Sequence, residues 1–272
     1  MAAGFRGGSA DAVAALTEGL QSAVSGSAET AAAAGADLFS VATTLRSEGA
    51  LRRFLTDASV PAEAKTGLVG EVFGQRVQGA ALGLLTDAVA RRWTSTRDLA
   101  DALEHLSVVA AVLSASGDAG RLADELFSFG EIVKGTPELR DALSDPARDA
   151  AAKAGLVHGL LDGRALPATV ALVIRALSGS YRTLAVALAA YQKIASEVHG
   201  ENVATVRVAR ELSDAERGRL ADALARQYGR PVHLNLLVDP SVLGGIRVEI
   251  GDDVIDGTVS SRLDEARRRI AG

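Results

Sequence analysis

Four carboxylates crowd together near the end of the chain, Glu249, Asp252, Asp253 and Asp256. Such a cluster could hold a divalent cation or supply a carboxylate pair for general acid–base chemistry. The spacing argues for less, because a calcium loop wants ligands at regular alternate positions and this run lacks them. Alternation along Ile246 to Ile250 puts Glu249 on the polar face of a strand. Asp252-Asp253 then reads as a solvated turn, and Asp256 as the cap of a final helix. Gly244-Gly245 could suggest a phosphate loop, which needs more glycines between a strand and a helix, with Lys-Ser or Lys-Thr in one version. Here the two glycines precede a strand, and none of the four lysines follows such a loop. A tight backbone approach or a positive φ is the simpler use.

The four histidines, His105, His158, His199 and His233, are scattered, and no pair has the i, i+4 spacing of a zinc-binding helix. They read as ordinary surface or boundary residues. The serines form no Gly-x-Ser-x-Gly elbow, and Ser178-Gly179-Ser180 reads as a connection between helices. Arg267, Arg268 and Arg269 could touch acidic lipid or nucleic acid. With Asp264 and Glu265 beside them, they read instead as a solvated helix end, where positive charge suits the macrodipole. The expectation is a chain without catalytic, metal-binding or cofactor-binding residues.

The elements that carry these residues follow from composition and period. The 272 residues suffice for one large domain or two to three small ones. With 48% hydrophobic but only 4% aromatic residues, the core must be built from Ala, Leu and Val, which favours close-packed helices. A net charge of −5 argues against nucleic acid as a partner. The lack of cysteine excludes disulfides and thiol chemistry. Met1 to Ser9 show no signal-peptide pattern, and the longest apolar run, around Val108 to Leu113, is far below the roughly 20 residues that span a bilayer. No direct membrane span is expected.

Past His199-Gly200, strands appear. Ala204, Val206 and Val208 alternate with polar residues. Ser213-Asp-Ala-Glu216 is a capping box opening a helix with Leu220, Leu224 and Tyr228 on one face. Val232, Leu234, Leu236 and Val238 alternate with His233, Asn235 and Leu237, and Ile246, Val248 and Ile250 alternate with Arg247 and Glu249. Val259, Leu263, Ala266 and Ile270 predict a last apolar helix face. The order is strand, helix, strand, strand, helix.

The preceding residues contain a duplication at an offset of 88. Leu38-Phe39-Ser40 recurs as Leu126-Phe127-Ser128, Leu51-Arg52 as Leu139-Arg140, and Gly67-Leu68-Val69 as Gly155-Leu156-Val157. Leu55, Asp57, Lys65 and Arg76 match Leu143, Asp145, Lys153 and Arg164, and Trp93 falls on Tyr181. Leu38, Val41 and Leu45 make one helical face, repeated by Leu126, Phe129 and Val133. Ala64, Leu68 and Val72 make another, repeated by Ala152, Leu156 and Leu160. Thr136 before Pro137 and Asp145 before Pro146 mark helix starts, as does Pro61 after Val60. Short helices of this kind must pack into bundles.

The residues Asp239, Leu243, Gly244, Gly245, Ile255, Asp256 and Gly257 occur in the order and spacing of the C-terminal signature of the F-type ATP synthase delta subunits, the oligomycin-sensitivity-conferring proteins, which this chain resembles. Thr258 stands where that family most often has Ser, which keeps the hydroxyl. The resemblance covers nearly the whole chain. Residues from about Val108 onward look like one complete subunit, preceded by an additional bundle as in actinobacterial forms. It implies an α+β fold, mostly α: an extra bundle at 1–116, a second at 117–199, and a small strand–helix–strand–strand–helix domain at 200–272. It implies a non-catalytic stator without cofactors, peripheral on the cytoplasmic face of a bacterial membrane. The helical bundle would bind the alpha subunits of the catalytic head, and the C-terminal domain a separate membrane-anchored stalk subunit. The rival readings are an unrelated helical repeat adaptor and, more distantly, a small hydrolase using the acidic turn.

Overall fold

A computed structural model of the chain describes residues 4–77, 79–242, 244–251 and 253–259. Two compact units are present, Met1–Ala195 and Ser196–Gly272.

The first unit is helical. Its elements are α1 (Gly8–Val24), α2 (Ala28–Ser47), α3 (Gly49–Thr56), α4 (Ala62–Phe73), α5 (Gly79–Ala90), α6 (Asp98–Ser114), α7 (Ala119–Gly135), α8 (Pro137–Ser144), α9 (Ala150–Leu161) and α10 (Pro167–Ser178). A further helix, α11 (Leu184–His199), contains the division between the units. The duplication is visible in the helices themselves. The bounds of α3 and α8, α4 and α9, and α5 and α10 are each 88 residues apart at both ends. Packing repeats as well: α4 lies on α5 as α9 lies on α10, and α2 meets α3 and α5 as α7 meets α8 and α10.

The helix α6 breaks the bookkeeping of two separate copies. It packs along α2 and α1, and also on α10 of the second copy. Twelve of its seventeen residues are buried, around the full circumference, whereas α2 buries one stripe. An all-round apolar helix is the sequence of an element with neighbours on every side. Each fully buried Leu or Val here, such as Leu99, Leu103, Leu106 and Val108, contributes about 1.5–3 kcal/mol.

The expected face of Leu38, Val41 and Leu45 is buried, as is that of Leu126, Phe129 and Val133. The other predicted stripe is rotated by one residue. Lys65, Val69 and Phe73 are the buried side chains of α4, and Val157 that of α9, while Leu68, Val72, Leu156 and Leu160 flank them half-buried. Helix starts also shift. Thr136 does sit before Pro137, without a side-chain cap bond. Pro61 is itself the residue before α4. Asp145 ends α8, turning back to accept from Ala147 N at 2.8 Å, and Asp149 caps α9 by accepting from Ala152 N at 2.6 Å.

The second unit has β1 (Asn202–Val208), α12 (Asp214–Tyr228), β2 (Val232–Val238), β3 (Ile246–Ile250) and β4 (Asp253–Asp256), in sheet order β2-β1-β3-β4. β1 and β2 are parallel and joined by α12, while β3 runs antiparallel to β1 and β4 to β3. The capping box forms: Ser213 accepts from Glu216 N, and the Glu216 carboxylate accepts from Ser213 N at 2.9 Å. Gly229 ends the helix in the left-handed conformation that favours glycine. Ala204, Val206, Val208, Leu224, Val232, Leu234, Val248 and Ile250 form the core. Asn235, expected on a polar face, is 3% exposed, so the centre of β2 is covered on both sides.

β4 corrects the reading of Asp253 as part of a solvated turn and of Asp256 as a helix cap. Asp253 pairs with Ile250 and Asp256 with Arg247, so the chain doubles back in a tight hairpin after Gly251, whose φ is 57°. Asp256 therefore ends a strand. Leu243, Asp252 and the apolar face of the last helix beyond Val259 (Leu263, Ala266, Ile270), with Arg267, Arg268 and Arg269, lie outside the described residues.

Candidate functional site

Three places collect the residues of interest. The first is the junction made by the C-terminal signature. Asp239 N bonds Val208 O at 2.8 Å, tying the end of β2 to the end of β1. Its carboxylate accepts from Ser241 N at 2.9 Å and Ser241 Oγ at 2.6 Å, which holds its pKa below the usual range. Asp256 does the same with Thr258, at 3.0 Å from N and 2.7 Å from Oγ1, with the same effect. Between them the backbone of Gly244-Gly245 lies against that of 257–259. Gly257 N donates to Ile246 O at 2.9 Å and Val259 N to Gly244 O at 3.2 Å. Gly244 and Gly245 have φ of 73° and 81°, and a Cβ on Gly245 would collide with Gly257 O and approach Thr258 Cα to 2.9 Å. The signature residues thus build a backbone junction of two crossing chain segments and two hydroxyl-closed Asp turns. Ile255 lies on β4, 36% exposed.

The described carboxylates of this region have separate partners. Glu249 pairs with Arg247 at 3.1 Å and lies 4.0 Å from Arg207, and Asp253 accepts from Tyr228 OH at 3.2 Å. Among the described residues, no group of three His, Asp or Glu could hold a metal. His158 Nδ1 is 3.0 Å from Asp162. His105 packs edge-on against Phe5, and burial pushes its pKa down to about 4.

The second place is an apolar groove of about 500 Å³ on the second copy, between α7, α9 and α10. Phe129, Leu160, Leu161 and Ala165 form its floor and walls, and Ile132, 55% exposed, stands at its mouth. The first copy has filled the same place. Phe73 and Val77, each 3% exposed, occupy the positions of Leu161 and Ala165, and Thr44 replaces Ile132. Leu161 and Ala165 are smaller than Phe73 and Val77, which leaves room there, while Phe129 and Leu160 are larger than their counterparts Val41 and Val72.

The third place was not found by sequence reasoning. Glu104, 2% exposed in α6, accepts from Arg46 Nη2 of α2, from Ser180 N at 3.0 Å and from Tyr191 OH of α11 at 3.3 Å. Asp101 lies 3.7 Å from Arg46, and burial raises its pKa against that attraction. Tyr191 is held protonated by burial and by the Glu104 charge, and its ring meets Tyr181 edge-on at 5.6 Å. Farther along α6, Arg175 of α10 donates to Ser107 O at 2.6 Å and lies over the Phe39 ring of α2 at 6.0 Å. Burial lowers its pKa to about 10. A charged residue between Leu103 and Leu106, at the start of the apolar run of α6, was the available signal.

These three places contain structural junctions and surfaces for helices, although Arg46 Nε and Nη1 in the third are buried without a hydrogen-bond partner. Comparison with known proteins accords with this. The sequence model of the ATP synthase delta (OSCP) subunit family matches residues 106–270, a span that begins inside α6. The ATP synthase subunit delta of Nocardioides sp. is 60% identical over 237 residues, covering 87% of this chain and 86% of that one. Those of Kineococcus radiotolerans and Streptomyces avermitilis are 47% and 43% identical, over 88% and 97% of this chain and 87% and 98% of their own lengths.

Proposed function

Because the chain belongs to the ATP synthase delta (OSCP) subunit family, we propose that it is the peripheral-stalk subunit that ties the catalytic head of an F-type ATP synthase to its membrane-anchored stalk. It is a structural subunit and not an enzyme. A stator must hold the head still while the central shaft turns, so that proton-driven torque changes the catalytic sites instead of spinning them. That task needs a durable hold at two ends and no bond-making chemistry.

The division of the chain into two compact units, each with its own core, is the observation that carries this reading. The helical part, comprising the added bundle of 1–116 and the family-type bundle of 117–199, takes the N-terminal helices of the head's alpha subunits. Residues 200–272 take the stalk. Two contacts joined in one chain raise the effective concentration of each partner for the other. No single described helix is long and apolar enough to cross a membrane, so attachment to the cytoplasmic face runs through the stalk. The groove beside Ile132 supplies one surface of the right kind, since an amphipathic helix laid into it would cover Ile132, Leu160 and Leu161.

Ile132→Glu in the full chain tests the assignment. Ile132 is exposed, so folding should survive, while binding to purified catalytic head falls at least roughly tenfold, the scale of one lost apolar anchor. Stalk binding should persist, and ATP-driven proton pumping should drop while ATP hydrolysis continues. Unchanged head affinity would remove the groove from the contact. A wild-type chain that binds neither head nor stalk would overturn the whole reading.

A further inference from the structure

We infer that α6 belongs to both copies of the duplication at once, and that Glu104 fastens them, so that the helical part unfolds as a single cooperative body. The inference does not depend on the stator assignment. α1 and α6 are both seventeen residues long, and α6 lies on α10 as α1 lies on α5. At its other flank α6 receives α2. In the second copy, Gly130 of α7 faces Leu188 of α11, 3.7 Å from an added Cβ. One helix therefore closes the first bundle and opens the second. The residues that would be the outer surface of a closing helix, among them Ser107, Val108 and Ala111, are buried.

Two polar contacts set the alignment across this common helix. Glu104 joins Arg46 of the first copy to Ser180 N and Tyr191 of the second. Arg175 of the second copy is bonded to Ser107 O and reaches over Phe39 of the first. Glycine fits closely where the copies approach each other. A Cβ on Gly179 would collide with Glu104 Oε1, and one on Gly35 would approach Ser107 O to 3.0 Å and Arg175 Nη1 to 3.2 Å. A buried charge satisfied by groups from both sides is lost from either side only with loss of the other. Neither bundle can open alone without exposing α6 and stranding Glu104 or Arg175.

The probes for a test are built in. Trp93 is the single tryptophan and lies in the first copy, while backbone amides of α10 and α11 report on the second. In urea titrations of the full chain, Trp93 fluorescence and hydrogen exchange of α10–α11 peptides should share one midpoint. Glu104→Gln keeps the shape and removes the charge. It should lower both midpoints together, with a roughly tenfold larger unfolding equilibrium constant, the scale of a lost charge-assisted hydrogen bond. Tyr191→Phe, which removes one hydroxyl, should shift both probes less but equally, and Lys193→Ala on the exposed side of α11 should shift neither. Separate midpoints in the wild type would overturn the shared helix. A shift of one probe alone in Glu104→Gln or Tyr191→Phe would overturn the fastening role.

Discussion

Gly245→Ala is the most exacting perturbation of the C-terminal junction. The residue has φ 81°, a conformation that costs an L-residue about 1–2 kcal/mol. The new Cβ would also fall on Gly257 O and lie 2.9 Å from Thr258 Cα, both backbone atoms that no rotamer change can move aside. Relief requires the 257–259 segment to withdraw, which breaks the bonds from Gly257 N to Ile246 O and from Val259 N to Gly244 O. Each broken bond costs about 0.5–1.5 kcal/mol. Strain and lost bonds together give a destabilisation of about 2–5 kcal/mol, and Gly245→Val should be worse because its branched side chain adds bulk. Two neighbours act as internal standards. Gly244 has φ 73°, but its Cβ would meet only the Val259 side chain at 3.3 Å, so Gly244→Ala should cost about 1–2 kcal/mol from conformation alone. Gly251 has φ 57° and open space, so Gly251→Asn should cost less still, Asn tolerating this region. Urea unfolding read by hydrogen exchange in β1 and β3 peptides ranks the three. If Gly245→Ala cost no more than Gly244→Ala, the close backbone approach would not be what makes glycine necessary.

Three other outcomes are expected. His105, held to a pKa of about 4 by burial, is neutral in the fold while an unfolded histidine titrates near 6.5, so its contribution is present above about pH 6.5 and declines as pH falls toward 4. His105→Asn should flatten that acid slope in a series of urea midpoints, and an unchanged slope would show that another group titrates. Ser213→Ala should cost about 1 kcal/mol through the lost cap. Glu216 is held at a pKa of about 2 first by Arg210 and then by Ser213, so its stabilisation, present above its unfolded value near 4.5 and lost as pH falls through the folded one, should shrink in part in that variant, seen as a shallower acid midpoint shift. A chain ending at about Gly200 should still bind the head and fail to hold the stalk, leaving membranes that hydrolyse ATP but pump protons poorly. Full coupling in that preparation would refute one partner per unit.

The helical part was legible wherever the signal was local or repeated. A constant offset of 88 located equivalent helices because homologous sequences fold alike, and Ser213 and Glu216 announced a helix start three residues apart. Asp145 misled for a local reason: Asp before Pro suits a turn as well as a cap, and Asp149 was the better placed oxygen. The α4 stripe slipped by one residue because Lys65, a charged residue by composition, is 5% exposed, its aliphatic stem serving as core. β4 was missed because aspartates end it on both sides, although Gly251 followed by Asp is a recognised two-residue hairpin loop. Glu104 could not be placed from the sequence, since its partners at 46, 180 and 191 meet it only through tertiary packing.

The duplication also determines where growth of this architecture stops. If α11 presented the same outer surface as α6, another copy could be stacked on it, and so could a neighbouring molecule. At the positions equivalent to His105 and Val109, α11 carries Lys193 and Glu197, both exposed, in place of a half-buried ring and a buried valine. Charged groups there make burial against a third copy unfavourable, as the polar outer helices of solenoid proteins do. The chain thus carries exposed charge on the surface where a further copy would stack.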